Sequence, residues 1–134
     1  MADIRRVTPE FAVAPQLTAD DMAEAARQGF TLVINNRPDG EAEDQPSSAE
    51  MQRAAEAAGL AYHHIPVRGG PTEEQVAAVA RAVAEAKGPV LAFCRSGTRS
   101  IVTWSIGRAM DGADRALLIA EGRNAGYDLS GVLG

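Results

Sequence analysis

The chain's only cysteine lies in "CRSGTRS", residues 94–100, directly behind the apolar run "VLAF" of residues 90–93. An apolar segment of helical character follows. A thiol set between two arginines and a glycine departs from the usual placing of cysteine as a small core hydrophobe. A loop that leaves a buried strand and enters a helix can turn its backbone N–H groups inward, which makes an anion site at the helix N-terminus. Gly97 permits the bend, and Ser96 and Thr98 complete the loop. Arg99 can fork two N–H donors onto an oxyanion. Arg95 adds a second cation, and Ser100, at the start of the helix, is placed to donate to the sulfur. All these groups favour the charged sulfur, so Cys94 is expected to titrate well below a free cysteine and to act as a nucleophile.

Three helical segments and the strands after them have to position this loop. "TADDMAEAARQG", "SSAEMQRAAEAAG" and "TEEQVAAVARAVAEAKG" each open on a hydroxyl residue followed three positions later by Asp21, Glu50 or Gln75. The last two are capping boxes and the first a weaker version with Asp. Each runs to a glycine, Gly29, Gly59 or Gly88, suited to the left-handed residue that ends a helix. In the third, Val76, Val79, Ala80 and Val83 form one apolar stripe. After each glycine comes a β-rich run: "FTLVINN", "LAYHHIPV", "PVLAF". The repeated order of helix, glycine and strand predicts an α/β domain with a mainly parallel central sheet flanked by helices, a single domain over residues 1–134. "IRRVT" and "FAVAP" read as two short strands forming an edge ribbon. "SIVTWSIGRAM" and "ADRALLIAEGRNAG" read as closing helices, with Trp104 in the core.

Ligands of parallel sheets bind at the carboxyl ends of the strands. Asn36 and Arg37 follow "LVIN", Arg68 follows "HHIPV", and Cys94, Arg95 and Arg99 follow "LAF". With parallel strands these groups meet on one edge, giving an electropositive, thiol-bearing pocket. His63 and His64 are neighbours on a strand and point to opposite faces, so no metal site is expected, and the chemistry calls for no cofactor. The acidic stretch "DGEAEDQ" reads as a solvated loop, and Tyr62 and Tyr127 carry no distinctive signal.

The chain has 134 residues and a formal net charge of −5, which argues against a general affinity for nucleic acid. No apolar run has the length of a membrane span and the N-terminus lacks a signal-peptide core, so a cytoplasmic location is expected. A lone cysteine makes no internal disulfide, in keeping with a reducing compartment.

"CRSGTRS" resembles the active-site loop of single-domain rhodaneses. The wider chain, from "VINNRPDGE" and "QPSS" through "YHHIPV" and "PTEEQV" to the cysteine loop, resembles a small bacterial family of phosphatase-like domains. Members of that family also occur fused to β-lactamase-fold sulfur dioxygenases and are described as sulfurtransferase-like. The similarity covers roughly residues 3–110. It implies a sheet like that of dual-specificity phosphatases, with Cys94 and Arg99 catalytic and Arg95, Ser96, Gly97, Thr98, Ser100, Arg37 and Arg68 binding substrate.

Phosphatases of this kind place five residues between cysteine and arginine; here four lie between Cys94 and Arg99. They also carry an acidic residue after the strand that here ends in "IPV", where this chain has Arg68. Asp39 is a possible substitute, though "RPDG" suits a turn. Sulfur transfer needs no such acid, because a sulfite or thiolate leaving group departs with its charge. The leading expectation is therefore a sulfurtransferase passing sulfane sulfur, from thiosulfate or glutathione persulfide, through a Cys94 persulfide to a thiol acceptor such as glutathione. A separate sulfur dioxygenase is its possible partner. A cysteine phosphatase with a shortened loop and a non-catalytic sulfur-carrying module are the alternatives.

Overall fold

Strands β1 (Arg5–Thr8), β2 (Phe11–Ala14), β3 (Leu32–Asn35), β4 (Ala61–His64) and β5 (Val90–Phe93) form one sheet in the order β1-β2-β5-β3-β4. The structure is a computed structural model that describes residues 2–134. Only the β1–β2 pair is antiparallel; β2, β5, β3 and β4 run parallel. β1 is thus an edge, while β2 lies inside the sheet beside β5 rather than in a separate ribbon.

The three inner strands β2, β3 and β5 are buried along their whole length, as a sheet covered on both faces requires. Alternation assigns their side chains. Phe11, Val13, Leu32, Ile34, Val90 and Ala92 face helices α3 (Glu73–Glu85), α4 (Thr98–Met110), α5 (Arg115–Asn124) and α6 (Ser130–Leu133). Ala12, Ala14, Val33, Leu91 and Phe93 face α1 (Asp21–Arg27) and α2 (Ser48–Ala57). On the first face Phe11 and Trp104 stack, with ring centroids 4.6 Å apart and planes inclined by 6°.

Capping chemistry sets the helix starts. Thr72 and Gln75 form both bonds of a capping box on α3, whereas on α2 only one bond of the expected box forms, Ser47 accepting from the Glu50 N–H. On α1 only half of the motif forms: Asp21 accepts from the Thr18 N–H at 2.8 Å, while Asp20 stands at the N-cap without a side-chain bond. Gly29 and Gly59 take positive φ as expected, but Gly88 does not. The chain leaves α3 through an extended Ala86, and a Cβ on Gly88 would stand 2.8 Å from Thr31 Cγ2. Close packing, not a left-handed turn, demands glycine there.

Register lines up the strand ends. Phe93 lies opposite Ala14 and Asn35, and Asn35 lies opposite His64. The backbone pairing continues past the strands: the Asn36 N–H donates to Phe93 O and the Val67 N–H to Asn36 O. Four loops therefore leave one edge of the sheet side by side. No helix among the described residues is long and apolar enough to cross a membrane.

Candidate active site

Gly97 sits at the N-cap of α4 with φ +91°, in the left-handed region, and donates its N–H to Cys94 Sγ at 3.1 Å. A Cβ at Gly97 would also run into the Tyr127 hydroxyl. The positive end of α4, without an acidic residue in its first turn, adds to the field at the sulfur. The cradle is shallower than the sequence suggests. The Thr98 N–H turns to Ser96 Oγ at 3.3 Å, and the Ser96 hydroxyl donates to Thr98 Oγ1. Ser100 is fully buried, yet its Oγ has no hydrogen-bond partner among the described residues. The expected Ser100 bond to sulfur is absent among the described residues, and the backbone contact to the sulfur comes from Gly97. Cys94 itself has no exposed surface.

Arg99 is held firmly. Its two terminal nitrogens donate to the Glu41 carboxylate at 2.8 and 2.9 Å, and one also donates to Val67 O at 2.9 Å. Arg37, 5% exposed, donates through Nε to Glu41 at 2.9 Å and through its terminal nitrogen to Gln16 at 2.9 Å. One carboxylate thus joins two guanidinium groups, Arg37 from the loop after β3 and Arg99 from the first turn of α4. Hydrogen bonds from Arg99 pull the Glu41 carboxyl down to about 2, against the opposing effect of burial, and Arg37 adds to the pull. Arg99 is raised above its ordinary value, first by Glu41 and further by the nearby Cys94.

The loop that delivers Glu41 is tied down at both ends. Asn35 accepts from the Arg37 N–H and donates to the Tyr62 hydroxyl, which pairs with Ser48. His64 Nε2 lies 2.8 Å from Arg37 O, and Asn36 donates to Ile65 O. Asp39 accepts from the Ser48 N–H at 2.7 Å, which spends it on the loop and on the start of α2. Beside this loop is a polar cavity of about 390 Å³, walled by Gln16, Arg37, Glu41, Asp44, Gln45 and Arg95.

Of the residues expected to gather here, Cys94, Gly97, Arg99 and Arg37 come together, and Arg95 stands on the cavity wall with its side chain exposed. Arg68 does not join them: it is exposed, and the Val67 carbonyl before it, rather than its own side chain, meets Arg99. Ser96 and Thr98 turn their hydroxyls to each other. The site is also less electropositive than expected, because Glu41 belongs to it rather than to a solvated loop. Nothing in "DGEAEDQ" marks Glu41 from its acidic neighbours; only the fold does. Tyr127, half-buried, donates to Ser96 O at 2.8 Å and was equally silent in the sequence. Among the described residues no three of His, Cys, Asp and Glu converge as metal ligands would.

A parallel-sheet domain that delivers a cysteine and an arginine from one strand–helix loop has the architecture of the cysteine phosphatases. A phosphatase candidate from Neisseria meningitidis superposes with a TM-score of 0.87 at 33% identity, over 98% of this chain and 94% of that one. The structure of Tk-PTP in its active form superposes with a TM-score of 0.72 over 96% of this chain and 88% of that one; at 22% identity it shows the fold alone. Residues 3–111 match the family of the beta-lactamase hydrolase-like protein, phosphatase-like domain, and the chain belongs to that family. Beta-lactamase hydrolase-like proteins of Agrobacterium fabrum and Xylella fastidiosa are 39% and 38% identical over 92% of this chain. The chain spans 29% of the length of each of them. The rhodanese resemblance finds no counterpart among these relatives.

Proposed function

We propose that this domain is a cysteine-dependent enzyme of the phosphatase type, acting on aryl phosphate esters. The observation that carries the reading is Cys94 set between the Gly97 N–H and a guanidinium, Arg99, that two neighbouring loops hold in place. The Cys94 thiolate attacks phosphorus, an S–P bond forms as the P–O bond breaks, and the aryl oxyanion leaves with the electron pair. Water then attacks the phosphocysteine, releasing phosphate and restoring the thiol. Arg99 and the end of α4 balance the charge on the transferring group. The leaving group is restricted to aryl because proton donors are scarce. Glu41 is ionised at neutral pH, Asp39 is committed to Ser48, and Arg68 stands after β4. A phenolate leaves without protonation far more readily than an alkoxide.

The same scarcity favours a second reading, sulfur transfer. There Cys94 attacks the sulfane sulfur of thiosulfate, an S–S bond forms, and sulfite leaves with the electron pair. The persulfide then passes its outer sulfur to a thiol such as glutathione. One pair of assays separates the two. Release of phenolate from an aryl phosphate, lost in Cys94→Ser, supports the phosphatase. A mass gain of one sulfur after thiosulfate, without phosphate release, assigns sulfur transfer instead.

A further inference from the structure

The peptide unit between Ser96 and Gly97 is engaged at both ends. Its carbonyl oxygen accepts from the Tyr127 hydroxyl at 2.8 Å, and its N–H donates to Cys94 Sγ at 3.1 Å. A trans peptide is planar, with C=O and N–H pointing in opposite directions. Fixing the oxygen therefore aims the hydrogen. We propose that Tyr127, from the segment between α5 and α6, is a positioning residue that locks this peptide with its N–H on the sulfur and so favours the Cys94 thiolate.

Three further observations fit. Tyr127 is itself held in place: the Arg5 guanidinium of β1 lies 5.2 Å from its ring centroid, and Arg5 donates to Ala125 O at 3.5 Å. Burial raises the phenol above its ordinary pKa, so it remains a donor across the range in which a thiol titrates. Among the described residues the same peptide has no other anchor at its oxygen, whereas Arg95 O is taken by the Gln16 N–H. A bond to the carbonyl also polarises the amide and strengthens donation from its N–H. The charged and titratable groups around the sulfur are Arg99 from α4, Glu41 and Arg37 beyond it, Tyr127 with the Arg5–Asp3 ion pair behind it, and the exposed Arg95. Tyr127 lies outside residues 3–111 that match the family, so this support comes from the C-terminal segment.

The inference rests on a catalytic thiolate, and its test reads the thiolate without any substrate. The ultraviolet absorbance of the thiolate is titrated in wild type and in Tyr127→Phe, each against its own Cys94→Ser counterpart, so that only one sulfur contributes. Tyr127→Phe keeps the ring and its packing and removes only the donor. Its thiol midpoint is expected to rise by about 0.5–1 pH unit, since one hydrogen bond to the charged form is weakened. An unchanged midpoint overturns the proposal. A second measurement changes only the strength of the donor: fluorotyrosine, a stronger donor, at Tyr127 in a Tyr62→Phe background, read against the same background carrying ordinary tyrosine. It is expected to lower the midpoint, and no shift or a rise overturns the proposal. If the wild-type midpoint is that of a free cysteine while both shifts occur, Tyr127 keeps its role and the proposed function loses its support. A depressed wild-type midpoint that neither change moves does the reverse.

Discussion

The two ends of the sheet obey different rules. At the amino end of the parallel strands, Phe11 pairs with Val90 and stacks on Trp104. Thr31 is bonded to Pro89 O and packs close against Gly88. At the carboxyl end, a few residues along the same strands, Asn35, Asn36, Arg37 and Ser100 are buried, and two of their polar atoms, Asn36 Oδ1 and Ser100 Oγ, have no partner among the described residues. Folding stability favours the first arrangement, because burial without a hydrogen bond costs free energy. The second persists because the neighbouring groups hold it in place. Local conflict of that kind is expected where a protein does chemistry, so substitutions at the two ends should separate activity from stability.

Cys94→Ser should abolish phosphate release or sulfur uptake altogether while leaving the melting temperature close to that of wild type. The hydroxyl still accepts from the Gly97 N–H. A large fall in stability with activity retained would reverse the roles assigned to the two ends. Phe11→Ala is the complementary break. Phe11 is 1% exposed and stacked, so its loss should cost about 3–5 kcal/mol in denaturant unfolding. The thiol midpoint of the folded fraction should not move.

Arg99→Lys is smaller and confined to the functional end. An ammonium keeps the charge but cannot span both Glu41 oxygens and Val67 O as the guanidinium does. A fall of about 10²-fold in kcat is expected, with unfolding changed by about 1 kcal/mol or less. Undiminished turnover in Arg99→Lys would show that charge alone, not the fixed fork, is what matters.

The amino end was nearly all legible in the sequence, and the carboxyl end only in part. The cap residues Ser47 and Thr72, the helix-ending glycines and the apolar runs depend on near neighbours, and from them followed the order of elements and the parallel sheet. Gly88 misled because a packing glycine and a left-handed one look alike in sequence. Cys94, Gly97 and Arg99 were legible because one loop carries them all. Glu41, Tyr127 and the fate of Arg68 were not, because each depends on which loop meets which across the sheet edge. Glu41 and Arg99 are far apart in the chain, and neither local spacing nor composition signals their contact.

Glu41→Gln gives the sharpest test, because Glu41, at the carboxyl end, bears on both stability and the aim of Arg99 and Arg37. Its native pKa of about 2 lies below the ordinary 4.5 of the unfolded chain. The folded state therefore resists protonation of Glu41, and ionised Glu41 adds stability that is complete above about 4.5. That stability disappears as the pH falls toward 2. Glutamine cannot ionise, so wild type should melt above Glu41→Gln at neutral pH, and the gap should close between those two values. In turnover the same substitution releases Arg99 and Arg37 from a competing anion but loosens their aim. KM for an anionic substrate should fall while kcat falls with it. A melting gap that ignores pH would mean that the ion pair contributes nothing to folding. A KM that rises would mean that the aim of the guanidinium groups, rather than their freedom from Glu41, limits binding.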